Sequence, residues 1–210
     1  MEERKGKPIQ AMQLLFVITI VAIPLSVVDQ LVANWLELIP AVVVLIGAVM
    51  LWRAIGSTYL EVSAIRGVIY VVLYIVSELV PVSNTETTLG GQTVLAVVAI
   101  ACGLVHQFTL LRGAADYMEG QGCPETAKEG RTAAVLSVVA NVGAFVVAIV
   151  GVATLTTVSI ILTLAAGFLA LVLAVVGIIA LFSRLSFFYR SMKRLKDGLQ
   201  ETPIQTQEKK

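Results

Sequence analysis

The stretch "VSIILTLAAGFLALVLAVVGIIALF", residues 158–182, contains no charged side chain. About 20 consecutive apolar residues are needed to cross the hydrocarbon core of a bilayer, and this stretch is longer than that. It therefore predicts a transmembrane helix, and five further apolar stretches precede it. The six predicted spans cover residues 11–28, 36–51, 62–80, 94–111, 133–153 and 158–182.

The composition indicates the same class of protein. Hydrophobic residues make up 58% of the chain and charged residues 14%, whereas soluble domains are about half apolar and about a quarter charged. We therefore expect an all-α integral membrane bundle of six transmembrane helices. Its predicted parts are an N-terminal cytoplasmic segment at 1–10, a membrane domain at 11–196 and a disordered cytoplasmic tail at 197–210.

Lysine and arginine are distributed unevenly along the chain. All 15 lie in or beside four regions: the N-terminal segment, the link between spans two and three, the link between spans four and five, and the C-terminal end. Cytoplasmic loops hold the excess of these residues in membrane proteins. Both termini are therefore predicted to face the cytoplasm.

Small residues recur every three or four positions in the last two spans, which places each set on one helix face. Such faces let helix backbones approach closely in lipid. The pattern predicts a tight antiparallel hairpin, and an exposed stripe of this kind would equally suit a partner protein. The residues are Ser137, Ala140, Ala144, Ala148 and Gly151 in span five, and Ala166, Ala170, Ala174 and Gly177 in span six.

A second pattern marks the ends of spans two, four and six, where an arginine is followed five or six residues later by a tyrosine. This spacing is typical of a repeat of three helical hairpins related by an axis along the membrane normal. The same residues are also expected at any cytoplasmic boundary, from the positive-inside bias and the aromatic belt.

Two glutamates lie in nearly identical motifs, "ELIP" at Glu37 and "ELVP" at Glu78, both predicted at the outer boundary. The outer links hold four acidic residues and no lysine or arginine. If the two carboxyls face each other, burial and mutual repulsion favour protonation or a bound cation. The alternative is a pair of solvated boundary residues. Pro40 then belongs to the first turn of span two, or kinks it if Asn34 is the N-cap.

Two polar side chains inside the spans are further binding candidates. His106 in span four can titrate or contact a ligand, or simply hydrogen-bond a neighbour. Asn141 in span five can contact a solute, or join helices by a hydrogen bond worth about 0.6 to 2 kcal/mol.

The segment "SRLSFFYRSMKRLK", residues 183–196, interleaves basic and aromatic residues and is predicted to lie against lipid headgroups. We expect no nucleic acid as a partner, because the basic patch is small and adjoins a span. The inner loop at 113–130 is predicted either to dock a membrane or cytoplasmic protein partner or to be a solvated connector. The expected headgroup contacts are Arg184, Arg190, Lys193, Arg194 and Lys196.

Motifs of known enzyme classes are missing from the sequence, which has a single histidine. We therefore expect neither an enzyme nor a cofactor or metal. The favoured function is a transport-type component that binds a small solute or cation from the outer side. The alternative is a non-catalytic structural or regulatory membrane subunit that recruits other proteins.

Two segments, "ANWLELIPAVVVLIGAVMLWRAI" at 33–55 and "LLRGAADYMEGQGCPETAKEG" at 110–130, resemble parts of a family of uncharacterised six-span proteins from Gram-positive bacteria. The resemblance implies a bacterial cytoplasmic membrane and brings no known activity. That family has a Pro-Asp-Phe run where this chain has Pro40, Ala41 and Val42, so no role for the acid is carried over.

In size the chain is also similar to substrate-binding subunits of energy-coupling-factor transporters. Their Ala-x-x-x-Ala motif is replaced here by Ala22 and Ser26.

Overall fold

The chain is a multi-pass membrane protein built from six helices. A computed structural model describes the backbone of residues 2–32, 38–79, 86–157 and 160–200, and the side chains of 6–25, 38–77, 94–95, 97–147 and 164–198. All regular structure in these ranges is helical, and each helix contains a segment long and apolar enough to cross a membrane. The helices are α1 (Glu2–Val32), α2 (Leu38–Ile55), α3 (Thr58–Leu79), α4 (Glu86–Gly120), α5 (Pro124–Thr157) and α6 (Ile160–Gln200).

Each helix coincides with one predicted span, so the predicted all-α bundle of six transmembrane helices is confirmed. Several helices are longer than their spans. α4, α5 and α6 have 35, 34 and 41 residues, or about 50 to 60 Å of helix, against a hydrocarbon core of about 30 Å. Helix α6 also includes residues 197–200 of the predicted tail, and 201–210 lie outside the described residues.

Two short turns define one end of the bundle, which we call the basal end. Helices α2 and α3 are joined at Gly56 and Ser57, and α4 and α5 at residues 121–123. Gly56 has a φ angle of 74° and Gly122 of 77°, a left-handed conformation that glycine adopts without a steric penalty. The opposite end is called the upper end.

The turn between α4 and α5 is a complete helix-termination motif. The Gly122 N–H donates to the Glu119 carbonyl at 2.9 Å, and the Cys123 N–H donates to the Met118 carbonyl at 3.0 Å. These are the two bonds of a Schellman motif, with glycine at its left-handed position. Pro124 then occupies the first position of α5, where a missing N–H costs nothing. The turn therefore stops α4 and starts α5 within three residues.

The helices contact one another in chain order, and α6 returns to contact α1. The contacts between α3 and α4 and between α5 and α6 are the most extensive. Helices α5 and α6 run antiparallel, because Glu129 pairs with Arg190 near the basal end while Gly143 meets Leu173 further up. The predicted hairpin of spans five and six is therefore present.

The apolar core lies at the basal end. Its side chains come from all six helices and include Met12, Leu15, Leu51, Leu60 and Phe187. Close approach at this level depends on glycine. A Cβ atom at Gly130 would lie 2.6 Å from the Phe187 ring and 2.9 Å from the Ala115 Cβ. The basal core is consequently packed at the limit of van der Waals contact.

Ion pairs join the helices where they project at the basal end. Arg131 on α5 contacts Asp116 and Glu119 on α4, and Arg190 on α6 contacts Glu129 on α5. These groups are substantially exposed, so each pair contributes little to stability. Their consequence is specificity, since they fix the pairing of three helices outside the hydrocarbon.

Packing becomes looser toward the upper end. On α6, Leu164 and Phe168 each expose 70% of their surface, and Leu171 exposes 65%. Exposed apolar side chains are stable in lipid, which is as apolar as they are. The upper part of α6 therefore has wide contact with the bilayer.

We predict that Gly130→Ala destabilises the protein by about 1 to 3 kcal/mol, because the new methyl group overpacks against the Phe187 ring. The matched control is Gly167→Ala, since no atom of the described residues lies within 4 Å of a Cβ atom at Gly167. Both changes gain the same helix propensity, about 1 kcal/mol. The difference in thermal unfolding temperature in detergent measures the packing alone. Equal unfolding temperatures would show that Phe187 can move aside.

Candidate functional site

A layer of polar side chains lies directly above the basal core. His106 on α4 is buried and contacts Ser63 on α3 in two directions. The His106 Nδ1 atom is 2.7 Å from the Ser63 carbonyl oxygen, and the Ser63 hydroxyl donates to the His106 carbonyl at 3.0 Å. The ring fits because the facing residue is Gly67, whose Cβ atom would lie 2.9 Å from Nδ1.

Both described contacts of the His106 ring are made by Nδ1, which lies 2.7 Å from the Ser63 carbonyl oxygen and 2.9 Å from the Ser63 hydroxyl oxygen. The tautomer with the proton on Nδ1 donates to the carbonyl and leaves Nε2 as an acceptor, whereas the other tautomer accepts from the hydroxyl. The predicted alternative of a histidine bonded to a neighbour is what the structure shows.

Arg184 on α6 is the second member of the layer. Its Nε donates to the Ser137 hydroxyl of α5 at 2.8 Å, and its Nη2 donates to Gln107 Oε1 of α4 at 2.9 Å. The Ser137 hydroxyl itself donates to the Ala133 carbonyl at 2.7 Å, so its oxygen lone pairs remain available to accept the bond from Arg184 Nε. One side chain thus connects three helices.

The charge of Arg184 is not neutralised by any carboxylate among the described side chains. The ion pairs that the structure describes involve Arg112, Arg131 and Arg190 instead, all nearer the basal end. An enclosed charge costs several kcal/mol unless a counter-charge and hydrogen bonds offset the lost hydration. Arg184, a charge among neutral partners, is therefore a candidate functional residue.

Arg184 lies on the wall of a cavity of about 500 Å³ that we call the central cavity. All six helices contribute to its lining, which combines apolar walls with a few polar groups. Its volume is typical of a small-molecule site. The lining residues are Ile18, Thr19, Ala22, Ile23, Pro40, Ala41, Val44, Tyr70, Gly103, His106, Gln107, Asn141, Leu181 and Arg184.

A second cavity of about 520 Å³ lies between α5 and α6, and we call it the lateral groove. It is formed by the small residues that the sequence placed on facing stripes, together with a few larger ones. Three residues, Asn141, Leu181 and Arg184, line both cavities. The remaining lining residues are Ser137, Ala140, Ala144, Val147, Ala170, Leu173, Ala174, Gly177 and Ala180.

Asn141 lies one helical turn above Ser137. Its Nδ2 donates to the Ser137 carbonyl at 2.7 Å within the same helix, and the residue is exposed to both cavities. This bond lies within α5, so it does not join two helices as one of the predicted roles of Asn141 required. The other predicted role, contact with a solute, is compatible with its position and stays a prediction.

Some residues of the central cavity were predicted from the sequence as binding candidates, and others were not. His106 and Asn141 come together in the central cavity, as candidates for one site. Glu37 lies outside the described residues, and the side chain of Glu78, next to the last residue of α3, is not described either. The proposed pair of carboxyls therefore stays a prediction. Pro40 is the third residue of α2, in its first turn, which is one of the two positions considered for it.

The predicted headgroup residues lie in different environments. Lys193, Arg194 and Lys196 are exposed on the basal part of α6, and Arg190 pairs with Glu129. Their contact with lipid stays a prediction. Arg184 instead faces the two cavities. Its partner Gln107 carried no signal in the sequence beyond being polar within a span.

Searches against protein-family models, curated proteins and solved structures returned no match. Among the described residues, no group of three or more histidine, cysteine, aspartate or glutamate side chains could hold a metal ion. The site is therefore defined by its own geometry: an arginine, two amides and a histidine at the floor of a largely apolar cavity.

We predict that Ser137→Ala destabilises the protein by about 1.5 to 3 kcal/mol, because it leaves the Nε of Arg184 without a partner. Ser191→Ala is the matched control. The Ser191 hydroxyl is also buried but has no hydrogen-bond partner among the described residues, so its removal is expected to be neutral or stabilising. Chemical unfolding of both variants in detergent measures the difference. Equal losses of unfolding free energy in the two variants would mean that the hydrogen bond from Arg184 to Ser137 does not stabilise the protein.

Proposed function

We propose that the protein is a non-enzymatic, transport-type membrane component whose central cavity binds a small solute carrying an anionic group. The observation that supports it is a cavity with contributions from all six helices, whose one described cation, Arg184, has only neutral hydrogen-bond partners. Transport proteins commonly place their solute site inside the bundle, where several helices meet.

The polar groups of the cavity fit an anion with hydrogen-bonding substituents. Arginine has five N–H donors, and the two bonds to Ser137 and Gln107 use two of them. A carboxylate or phosphate group accepts from such a fork in a bidentate manner. In the tautomer that donates from Nδ1 to the Ser63 carbonyl, His106 Nε2 accepts a hydroxyl or amine proton of the same solute. A cation at this level would be repelled by Arg184.

The cavity extends from this floor toward the upper end. Its walls include Ala22 and Ile23 of α1 and, near the upper end of α2, Pro40 and Ala41. Below the floor, the basal core closes the bundle on every helix. In the predicted orientation the basal end is cytoplasmic. The solute would therefore enter from the outer side.

A second function, a structural or regulatory subunit that recruits other proteins, is favoured by a separate observation. The basal parts of α4 and α5 form a projection that ends in the turn at 121–123, whose neighbours Gly120 and Glu125 are exposed. Such a projection is accessible to a cytoplasmic protein. Co-purification of a stoichiometric partner that is lost when residues 120–125 are altered would support this function.

The test of solute binding uses purified protein in detergent. Thermal stabilisation is measured with acetate, inorganic phosphate and sulfate, and with sodium, potassium and ammonium as their counterparts. We predict that at least one anion stabilises the protein and that Arg184→Gln weakens its binding about tenfold or more, the value of one charge-assisted interaction. Arg190→Gln is the matched control, because it removes the same charge from the exposed pair with Glu129.

Stabilisation by a cation and by no anion would contradict the proposal. In that case the same measurement on Glu37→Gln and Glu78→Gln would decide whether the predicted carboxyl pair binds the cation. Equal loss of anion binding in Arg184→Gln and Arg190→Gln would show a general effect of surface charge, and the central cavity would not be the site.

A further inference from the structure

We propose that the lateral groove binds an anionic phospholipid of the surrounding bilayer, with one acyl chain lying between α5 and α6 and the phosphate at Arg184. The proposal concerns a different cavity from the solute site and does not require transport. It rests on the shape of the groove, on its opening toward lipid and on the charge at one end of it.

The shape of the groove suits a single chain. It runs along α6 from Ala170 to Arg184, which is about 21 Å of helix at 1.5 Å per residue. One leaflet of the hydrocarbon core is about 15 Å thick. Small side chains such as Ala144, Ala174 and Gly177 form the walls, so the space between the two helices remains unfilled. A chain of one leaflet that begins at Arg184 can therefore lie along about 15 Å of the groove.

The groove is open to the bilayer rather than enclosed. Ala144, Ala170 and Ala174 line it and are nevertheless exposed. The two helices touch through Leu173, whose side chain lies against Gly143, where a Cβ atom would be only 2.3 Å away. Helix contact is thus made at a larger residue, and the small residues are left facing lipid.

The charge at the basal end of the groove selects the headgroup. Arg184 is cationic, has no carboxylate partner among the described side chains and keeps donors beyond its two described bonds. A guanidinium binds phosphate oxygens in a fork geometry. In phosphatidylcholine the choline ammonium offsets the charge of the phosphate, so an anionic headgroup is favoured at Arg184. The apolar sequence of the last span ends at residue 182, so Arg184 lies at the level where headgroups of that leaflet are expected.

The two cavities meet at Asn141, Leu181 and Arg184. A phosphate held at Arg184 from the groove would occupy the donors that an anionic solute needs in the central cavity. The lipid would therefore compete with that solute.

The test compares retention of two lipids with identical chains, phosphatidylglycerol and phosphatidylcholine, by native mass spectrometry of the full-length protein from mixed micelles. The wild-type protein is expected to retain phosphatidylglycerol about tenfold more strongly. Ala174→Leu fills the groove and Arg184→Gln removes the charge, and each should abolish the preference. Ala165→Leu, an exposed position on α6 that does not line the groove, and Ala41→Leu, which lines only the central cavity, should retain it.

Three results would overturn the proposal: equal retention of the two lipids, a preference unchanged in Ala174→Leu, or full displacement of phosphatidylglycerol by equimolar inorganic phosphate. The last would show that the site recognises phosphate without the chain. A dimer that is lost in Ala174→Leu while no lipid is retained by the wild type would assign the groove to a second copy. Anion binding measured on Ala174→Leu separates this test from that of the solute site, because the variant leaves the central cavity unchanged.

Discussion

The enclosed guanidinium of Arg184 is the constraint to which the rest of the site is fitted. A charge surrounded by protein has lost most of its hydration, and only well-placed acceptors offset that cost. Ser137 and Gln107 supply them from two other helices. These bonds therefore fix the positions of α4, α5 and α6 relative to one another along the bundle axis. His106 and Ser63 make the equivalent connection between α3 and α4.

Packing differs on the two sides of this layer, and the difference has a functional consequence. Below it, glycines let side chains approach to the contact limit, as Gly113 does for Leu60 and Gly130 for Phe187. Above it, two cavities lie between the helices, which still make a close contact at Gly143 and Leu173, and α6 exposes large apolar residues to lipid. The closely packed base beneath the cavities holds the polar groups in place.

Hydrophobic runs were sufficient to predict the six helices, because the cost of unsatisfied backbone groups in lipid leaves helices as the only solution for such runs. Helix length beyond the membrane was not predictable from hydrophobicity, since residues such as Asp116 and Arg131 end an apolar run without ending a helix. The site was predicted only in part. His106 and Asn141 were identified singly as polar residues within spans. Arg184 was predicted to contact lipid headgroups because it follows an apolar run. Its hydrogen bond to Gln107 was not predictable, because the two residues are 77 positions apart in the sequence and lie on different helices.

A single cation that lines two cavities links their occupants directly. If a solute and a phospholipid phosphate both need Arg184, the factor by which the lipid lowers the affinity for the solute must equal the factor by which the solute lowers the affinity for the lipid. This coupling needs no conformational change, because the two ligands exclude each other at the same donors. The apparent affinity for the solute then falls as the mole fraction of anionic lipid rises, by the ordinary law of mass action. The composition of the leaflet at the basal side would therefore regulate the central cavity.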